Sequence, residues 1–191
     1  MTDSATGPRP SPGKEYRLLP HPDFPSGGIT AITIAIDQKG SALVLRYTVE
    51  GALDQVRWPA PETSSRTDEL WKHTCFEAFV GHPQAGYTEY NFSPSGAWAS
   101  YFFDRYRDGM RPATWFEDPV VTSSFNGAFS LRAEIDLAMH LKEGASHLAL
   151  SAVIEETDGT KSYWALAHAA GPPDFHNRDC FIATLPAPTG A

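Results

Sequence analysis

Leu70-Trp-Lys-His-Thr-Cys-Phe-Glu-Ala-Phe-Val80 and, after a short Gly/Pro connection, Tyr87-Thr-Glu-Tyr-Asn-Phe-Ser-Pro-Ser-Gly-Ala-Trp98 decide how this chain is read. Both runs carry polar and aromatic groups at every second position. In a strand, successive side chains point to opposite faces, so this alternation sorts the residues onto two surfaces. Thr74, Phe76, Ala78 and Val80 fall on one face and are expected to line a core. Trp71, His73, Cys75, Glu77 and Phe79 fall on the other, an unusual mixture for a merely solvated surface. The reading is a β-fold with a binding face.

Strand signals recur on both sides of this pair. Thr30–Ile36 leads through Asp37-Gln-Lys-Gly40 into Ser41–Val49, a hairpin with Gly40 in the turn. Short strands are expected at Asp54–Trp58, Ala97–Phe103, Pro119–Ser124, Gly127–Ile135, His147–Glu155, Ser162–Leu166 and Cys180–Leu185, with a tight turn at Asp158-Gly159. Phe129, Leu131, Ala133 and Ile135 alternate with Ser130, Arg132 and Glu134, the pattern of a strand with one wet face. One short helix is expected over Asp136–Leu141, with Asp136 at its cap. Many short strands separated by turn signals predict an all-β, antiparallel β-sandwich. Residues 15–186 are read as a single domain. Residues 1–14 and 187–191, rich in Pro, Gly and small polar residues, are read as tails.

Composition narrows the function classes. The 191 residues are 41% hydrophobic and 20% charged, as in a globular protein that buries a core without staples. A formal net charge of −8 argues against nucleic acid and against an anionic membrane surface. No apolar run approaches the roughly 18 residues of a membrane span. The N-terminal residues lack a basic segment followed by an apolar one, so a cytoplasmic location with reduced Cys75 and Cys180 is expected. Nothing in the sequence indicates the oligomeric state.

Several residue types on the candidate face have specific chemistry. Trp71 offers a flat indole with an N–H at its edge, suited to stacking on a sugar ring or to packing as an ordinary core aromatic. Glu77, six positions on, keeps the same face. Flanked by Phe76, Ala78 and Phe79, it must be partnered or ligand-facing, because an unpaired buried charge is costly. Arg105 or Arg107 could fork onto a carboxylate or a ligand hydroxyl, with a solvated turn the weightier reading for Arg107. His73, Cys75, His176 and Cys180 form the one set with metal-ligand chemistry, although neither spacing is a standard zinc knuckle. Glu77 with Glu89 or Asp104 would be the carboxylate pairs for a hydrolase. No Gly-x-Ser-x-Gly elbow or phosphate loop is present.

Four stretches together resemble the DOMON-like superfamily, a β-sandwich group that includes family 9 carbohydrate-binding modules. They are the two opening runs, Ser151-Ala-Val-Ile-Glu-Glu156, and Tyr163-Trp-Ala-Leu-Ala-His168 through Pro173-Asp-Phe-His-Asn-Arg-Asp-Cys-Phe181. The likeness is greatest to a bacterial subgroup and implies a jelly-roll-like sandwich that binds a small ligand without catalysis. It places Trp71 and Glu77 where the sugar-binding modules carry a stacking ring and a hydrogen-bonding carboxylate, with Asn91 and Arg105 near further polar contacts. Where such modules offer a second stacking Trp, this chain has Phe175-His-Asn-Arg-Asp179. The expected function is therefore binding of a saccharide or sugar-containing metabolite by Trp71, Glu77, Asn91, Arg105 and His176. No cofactor is required by this reading. Two alternatives stay open. Other members of the group hold haem through axial His and Met, for which Met110 and Met139 are the internal methionines, and a sugar-acting enzyme is the third class.

Overall fold

Alternation along Phe129–Ile135 and along Phe76–Val80 brings two apolar faces together, and these faces are the inside of a sandwich. A computed structural model describes residues 14–83, 86–114, 117–142, 144, 145 and 147–185. In chain order the first strands are β1 (Lys14–Arg17), β2 (Leu19–Pro20), β3 (Ile29–Lys39), β4 (Ala42–Gly51), β5 (Cys75–Gly81), β6 (Tyr87–Phe92) and β7 (Trp98–Phe103). They are followed by β8 (Arg111–Pro112), β9 (Val120–Asn126), β10 (Ala128–Asp136), β11 (His147–Glu155), β12 (Lys161–Ala165) and β13 (Ala183–Thr184). One sheet has the order β1-β3-β4-β10-β9; the other runs β2-β12-β11-β5-β6-β7-β8, with β13 paired to β11. Among the described residues all the pairings between these strands are antiparallel. The protein is an all-β antiparallel sandwich, with one short helix among the described residues, α1 (Ala138–Lys142).

The core between the sheets takes Ile32, Ile34, Leu45 and Leu131 from one side and Phe76, Tyr90, Phe92 and Leu150 from the other. Tyr47 spans it, donating its hydroxyl to the Glu77 carbonyl oxygen at 2.7 Å. That bond satisfies a hydroxyl buried in the core. The hairpin expected around Gly40 forms, with Gly40 at φ +60. The turn at Asp158-Gly159 joins β11 to β12, and Asp136 Oδ1 accepts from the Ala138 amide at the start of α1.

The structure corrects several boundaries. Leu70–Lys72 is a 3-10 turn rather than strand, because Glu69 adopts φ +64 and its carbonyl accepts the Lys72 amide at 3.0 Å. Strand geometry therefore starts at Cys75. Asp54–Trp58 also yields a turn, Leu53–Gln55, and Val56 makes only an isolated bridge to Glu156. At Cys180–Leu185, the Asn177 side chain accepts from the Asp179 amide and caps a turn at Arg178–Cys180, leaving only Ala183–Thr184 as strand. β1, β2 and β8 are additions that the period-2 signal does not mark. The expected tails lie outside the described residues, except that Lys14 opens β1.

The second sheet is covered on both faces, and every residue of β6 is buried. Its outer face carries Phe79, Tyr87, Tyr101, Phe103 and Val153, packed beneath Phe175 and Cys180 of the C-terminal segment. That cover is incomplete, and the gap in it is a cleft.

Candidate functional site: a cleft over two buried carboxyl groups

The pleat of β5 points Cys75, Glu77 and Phe79 away from the core, and register sets what stands beside them. Glu77 lies opposite Asn91 on β6, and Phe79 lies opposite Glu89. Glu77 and Glu89 are thus diagonal neighbours on one face, within reach for long side chains. They form the floor of a cleft of about 480 Å³. Its walls come from the Leu70–Lys72 turn (Trp71, Lys72), the segment after β7 (Arg107, Met110), β12 (Lys161, Tyr163) and the C-terminal segment (Pro173, Phe175, His176), with Phe103 and Val153 alongside.

Each carboxyl is nearly out of solvent, at 3% and 4% exposure for Glu77 and Glu89. Ser151 donates its hydroxyl to Glu77 Oε2 at 2.8 Å, and the Asn91 amide donates to Glu89 Oε1 at 2.7 Å. Those bonds favour the ionised forms, but they do not prevail. Burial, then repulsion from Glu89, pushes Glu77 up to about 8. Burial pushes Glu89 up to about 7 against the opposing pull of Asn91 and Arg107. Near neutral pH the pair therefore holds at least one proton, offering a donor and an acceptor side by side.

Arg107 is fixed by Asp174, which accepts from its Nε at 3.2 Å and its Nη2 at 2.8 Å. Tyr106 donates to the other Asp174 oxygen at 2.8 Å. Burial alone would raise the Asp174 carboxyl; the hydrogen bonds from Tyr106 and Arg107 and the guanidinium charge outweigh it and hold the group below its usual value. The Arg107 amide donates to the Tyr87 hydroxyl at 3.2 Å, and that hydroxyl meets His176 Nδ1 at 2.7 Å. His176 Nε2 stands 3.9 Å from Glu89 Oε2. Burial, then the Arg107 charge, lowers His176 to about 4, so its ring is neutral at physiological pH. Trp71 is half-buried, with its ring edge-on to Tyr101 at 5.5 Å between centroids.

Of the residues singled out from the sequence, Trp71, Glu77 and His176 border this cleft. Trp71 does so from a turn rather than from the strand. Asn91 is fully buried beneath the floor and acts on Glu89. Arg105 does not join them: its side chain is 77% exposed and paired with Asp108 at 2.7 Å. Arg107 lines the cleft instead, from a backbone position with a left-handed φ of +52. Glu89 stood out only as a hydrolase candidate, yet its two-residue spacing from Asn91 marks the same face. Tyr163 and Lys161 carry no local signal, since they reach the cleft through long-range topology, and Phe175 stood out only through the resemblance.

The four metal-ligand candidates are dispersed. His73 Nδ1 pairs with Glu155 Oε2 at 2.7 Å, Cys75 contacts Asn91 Oδ1 at 3.5 Å, and Cys180 donates to the Asp174 carbonyl at 3.4 Å. Among the described residues no three His, Cys, Asp or Glu side chains could hold a metal ion together. Cys75 and Cys180 are buried free thiols. A haem would find His176 and Met110 at the cleft. However, His176 Nδ1 is engaged by Tyr87, its Nε2 faces the Glu89 carboxyl, and two carboxyl groups would lie against the macrocycle. The donor set does not fit a haem.

No protein-family model matches the chain, and no curated protein matches it in sequence. Among solved structures, it is similar to a "putative carbohydrate-binding protein" from Bacteroides uniformis ATCC 8492. The TM-score is 0.66 at 17% identity, over 88% of this chain and 84% of that one. At that identity the likeness establishes the shared sandwich fold.

Proposed function

We propose that the cleft binds a saccharide or sugar-containing metabolite, on a sandwich of the DOMON-like, family 9 carbohydrate-binding kind. The observation that carries the reading is the meeting of a half-buried Trp71 with the Glu77–Glu89 pair in one cleft. A sugar presents an apolar ring face and a rim of hydroxyls. An aromatic plane matches the first, and a floor holding both a donor and an acceptor matches the second. The volume of about 480 Å³ lies within the roughly 300–1,000 Å³ of small-molecule sites. The fold shared with the Bacteroides uniformis protein supports the same class of ligand.

The test is calorimetric titration with a panel of neutral, acidic and amino mono- and oligosaccharides, using wild type and Trp71→Ala. Saturable binding of at least one saccharide, weakened roughly thirtyfold by the substitution, is the expected result. Binding that ignores Trp71, or no binding across the panel, would overturn the reading.

One observation favours a second reading, a sugar-acting enzyme. A protonated carboxyl beside an ionisable one is the equipment of general acid–base chemistry. Incubating the same panel with the protein and looking for products that vanish in Glu89→Gln separates catalysis from binding.

A further inference from the structure

We infer that the ligand carries a protonated amine on its sugar ring and that Glu77 and Glu89 together form the subsite for that amine; the inference rests on the saccharide reading above.

The first ground is what each carboxyl lacks. Glu77 Oε2 and Glu89 Oε1 have the Ser151 and Asn91 partners, but no hydrogen bond reaches Glu77 Oε1 or Glu89 Oε2 among the described residues. Neither of these oxygens is sealed from solvent without a partner, so both open onto the cleft. The cations around the cleft are engaged elsewhere. Arg107 is tied to Asp174, Lys72 is paired with Glu69 at 2.7 Å, and Lys161 donates to the Lys72 carbonyl. Among the described residues the single basic group within 4.0 Å of either carboxyl is His176, which burial keeps neutral. Among the described residues the floor thus has two acceptors with no hydrogen bond, and the Arg107 charge that acts on both does so from beyond ion-pair distance.

Ligand hydroxyls would supply hydrogen bonds there but no charge. A ring ammonium supplies three donors and one positive charge, which is what two buried carboxylates need to ionise together. The walls agree with this. Trp71, Phe103, Tyr163 and Phe175 present aromatic surface to the same space, a favourable setting for a cation. The formal net charge of −8 favours its approach.

The amine must displace protons from the pair, so binding is linked to pH. From β5 the thiol of Cys75 faces the pair, and from β6 Tyr87 does; burial keeps both protonated through neutral pH, as it does Tyr47 behind Glu77. Asp174 and Arg107 stay ionised, and His176 stays neutral. Lys161 and Tyr163 face the cleft from β12 and Lys72 from the 3-10 turn. Among the described groups that face the cleft and whose ionisation burial has moved, only the two floor carboxyls change charge between about pH 6 and 8.

The experiment titrates glucosamine, N-acetylglucosamine and glucose, the corresponding galactose series, and the linear diamine putrescine. Titrations are run at about pH 7 in buffers of different ionisation enthalpy. The amino sugar is expected to bind roughly tenfold or more tightly than its neutral relatives. It should release about one proton on binding to the wild-type protein. Glu77→Gln and Glu89→Gln should each remove most of that preference. Equal affinity for amino and neutral sugars, or binding without proton release, overturns the inference and leaves the saccharide reading in place. Putrescine binding as tightly as the amino sugar supports the carboxyl–amine pairing and overturns the saccharide reading. Silence from every probe overturns both.

Discussion

Glu77→Gln removes an ionisable proton from the cleft floor while keeping the side chain's shape and an acceptor for Ser151. It therefore isolates what the buried charge does to stability. The unfolded chain releases the Glu77 proton near its ordinary value of 4.5, whereas the folded protein holds it up to about 8. Between those values the native state binds more protons than the unfolded state, so stability falls as pH rises. The favourable contribution is complete below 4.5 and lost above about 8. At about 1.4 kcal/mol per pH unit, the interval sets a ceiling of about 5 kcal/mol. Water entering the cleft raises the effective dielectric and brings the expected difference to about 2–4 kcal/mol. Urea unfolding at about pH 5 and about pH 9 measures it, with an unchanged slope in denaturant as the control. Wild type should lose that much more stability than the variant across this range. Parallel losses in the two proteins would mean that Glu77 ionises near its ordinary value on a solvated floor, and the argument from burial would be wrong.

Three further outcomes follow from the same geometry. Trp71→Ala should cost about 1–2 kcal/mol of stability, less than the loss of a fully buried Trp, because the indole is half-buried and packs edge-on to Tyr101; thermal unfolding reports it. Asp174→Asn should loosen the segment over the cleft, since Tyr106 and Arg107 both bond to that carboxylate, and amide exchange should quicken at 105–109 while β5 and β6 stay protected. Burial lowers His176 to about 4 and His140 to about 3, so the folded state binds fewer protons than the unfolded one below pH 6.5. Stability should fall as pH drops through that range, and His176→Gln should flatten the fall.

The parts of this molecule legible in the sequence were those set by local period. Alternation at Phe76–Val80 and Phe129–Ile135 placed the core faces, and Gly40 and Asp158-Gly159 placed two hairpins. The same period put Cys75 and Glu77 on the outer face, where the structure has them. It failed at Trp71, where a left-handed Glu69 starts a turn, and the indole arrives at the cleft by a route the alternation does not describe. Arg105 and Arg107 show the limit plainly. They are two residues apart in a loop, so no periodicity separates them, and the backbone conformation at Arg107 decides which one faces the sheet. Lys161 and Tyr163 depend on strand order, which the sequence does not encode locally, whereas Phe175 stood out only through the family resemblance, and His176 through it and as a metal-ligand candidate.

The claim that this cleft is the binding site is tested most directly by mapping backbone amide shifts while a saccharide identified in the panel is titrated in. The account predicts that saturable shifts concentrate at 71–77, 87–91, 103–110, 161–163 and 173–176, the segments that build the floor and walls. Shifts gathered instead on β1, β3 and β9 of the opposite sheet, with the cleft segments silent, would contradict it.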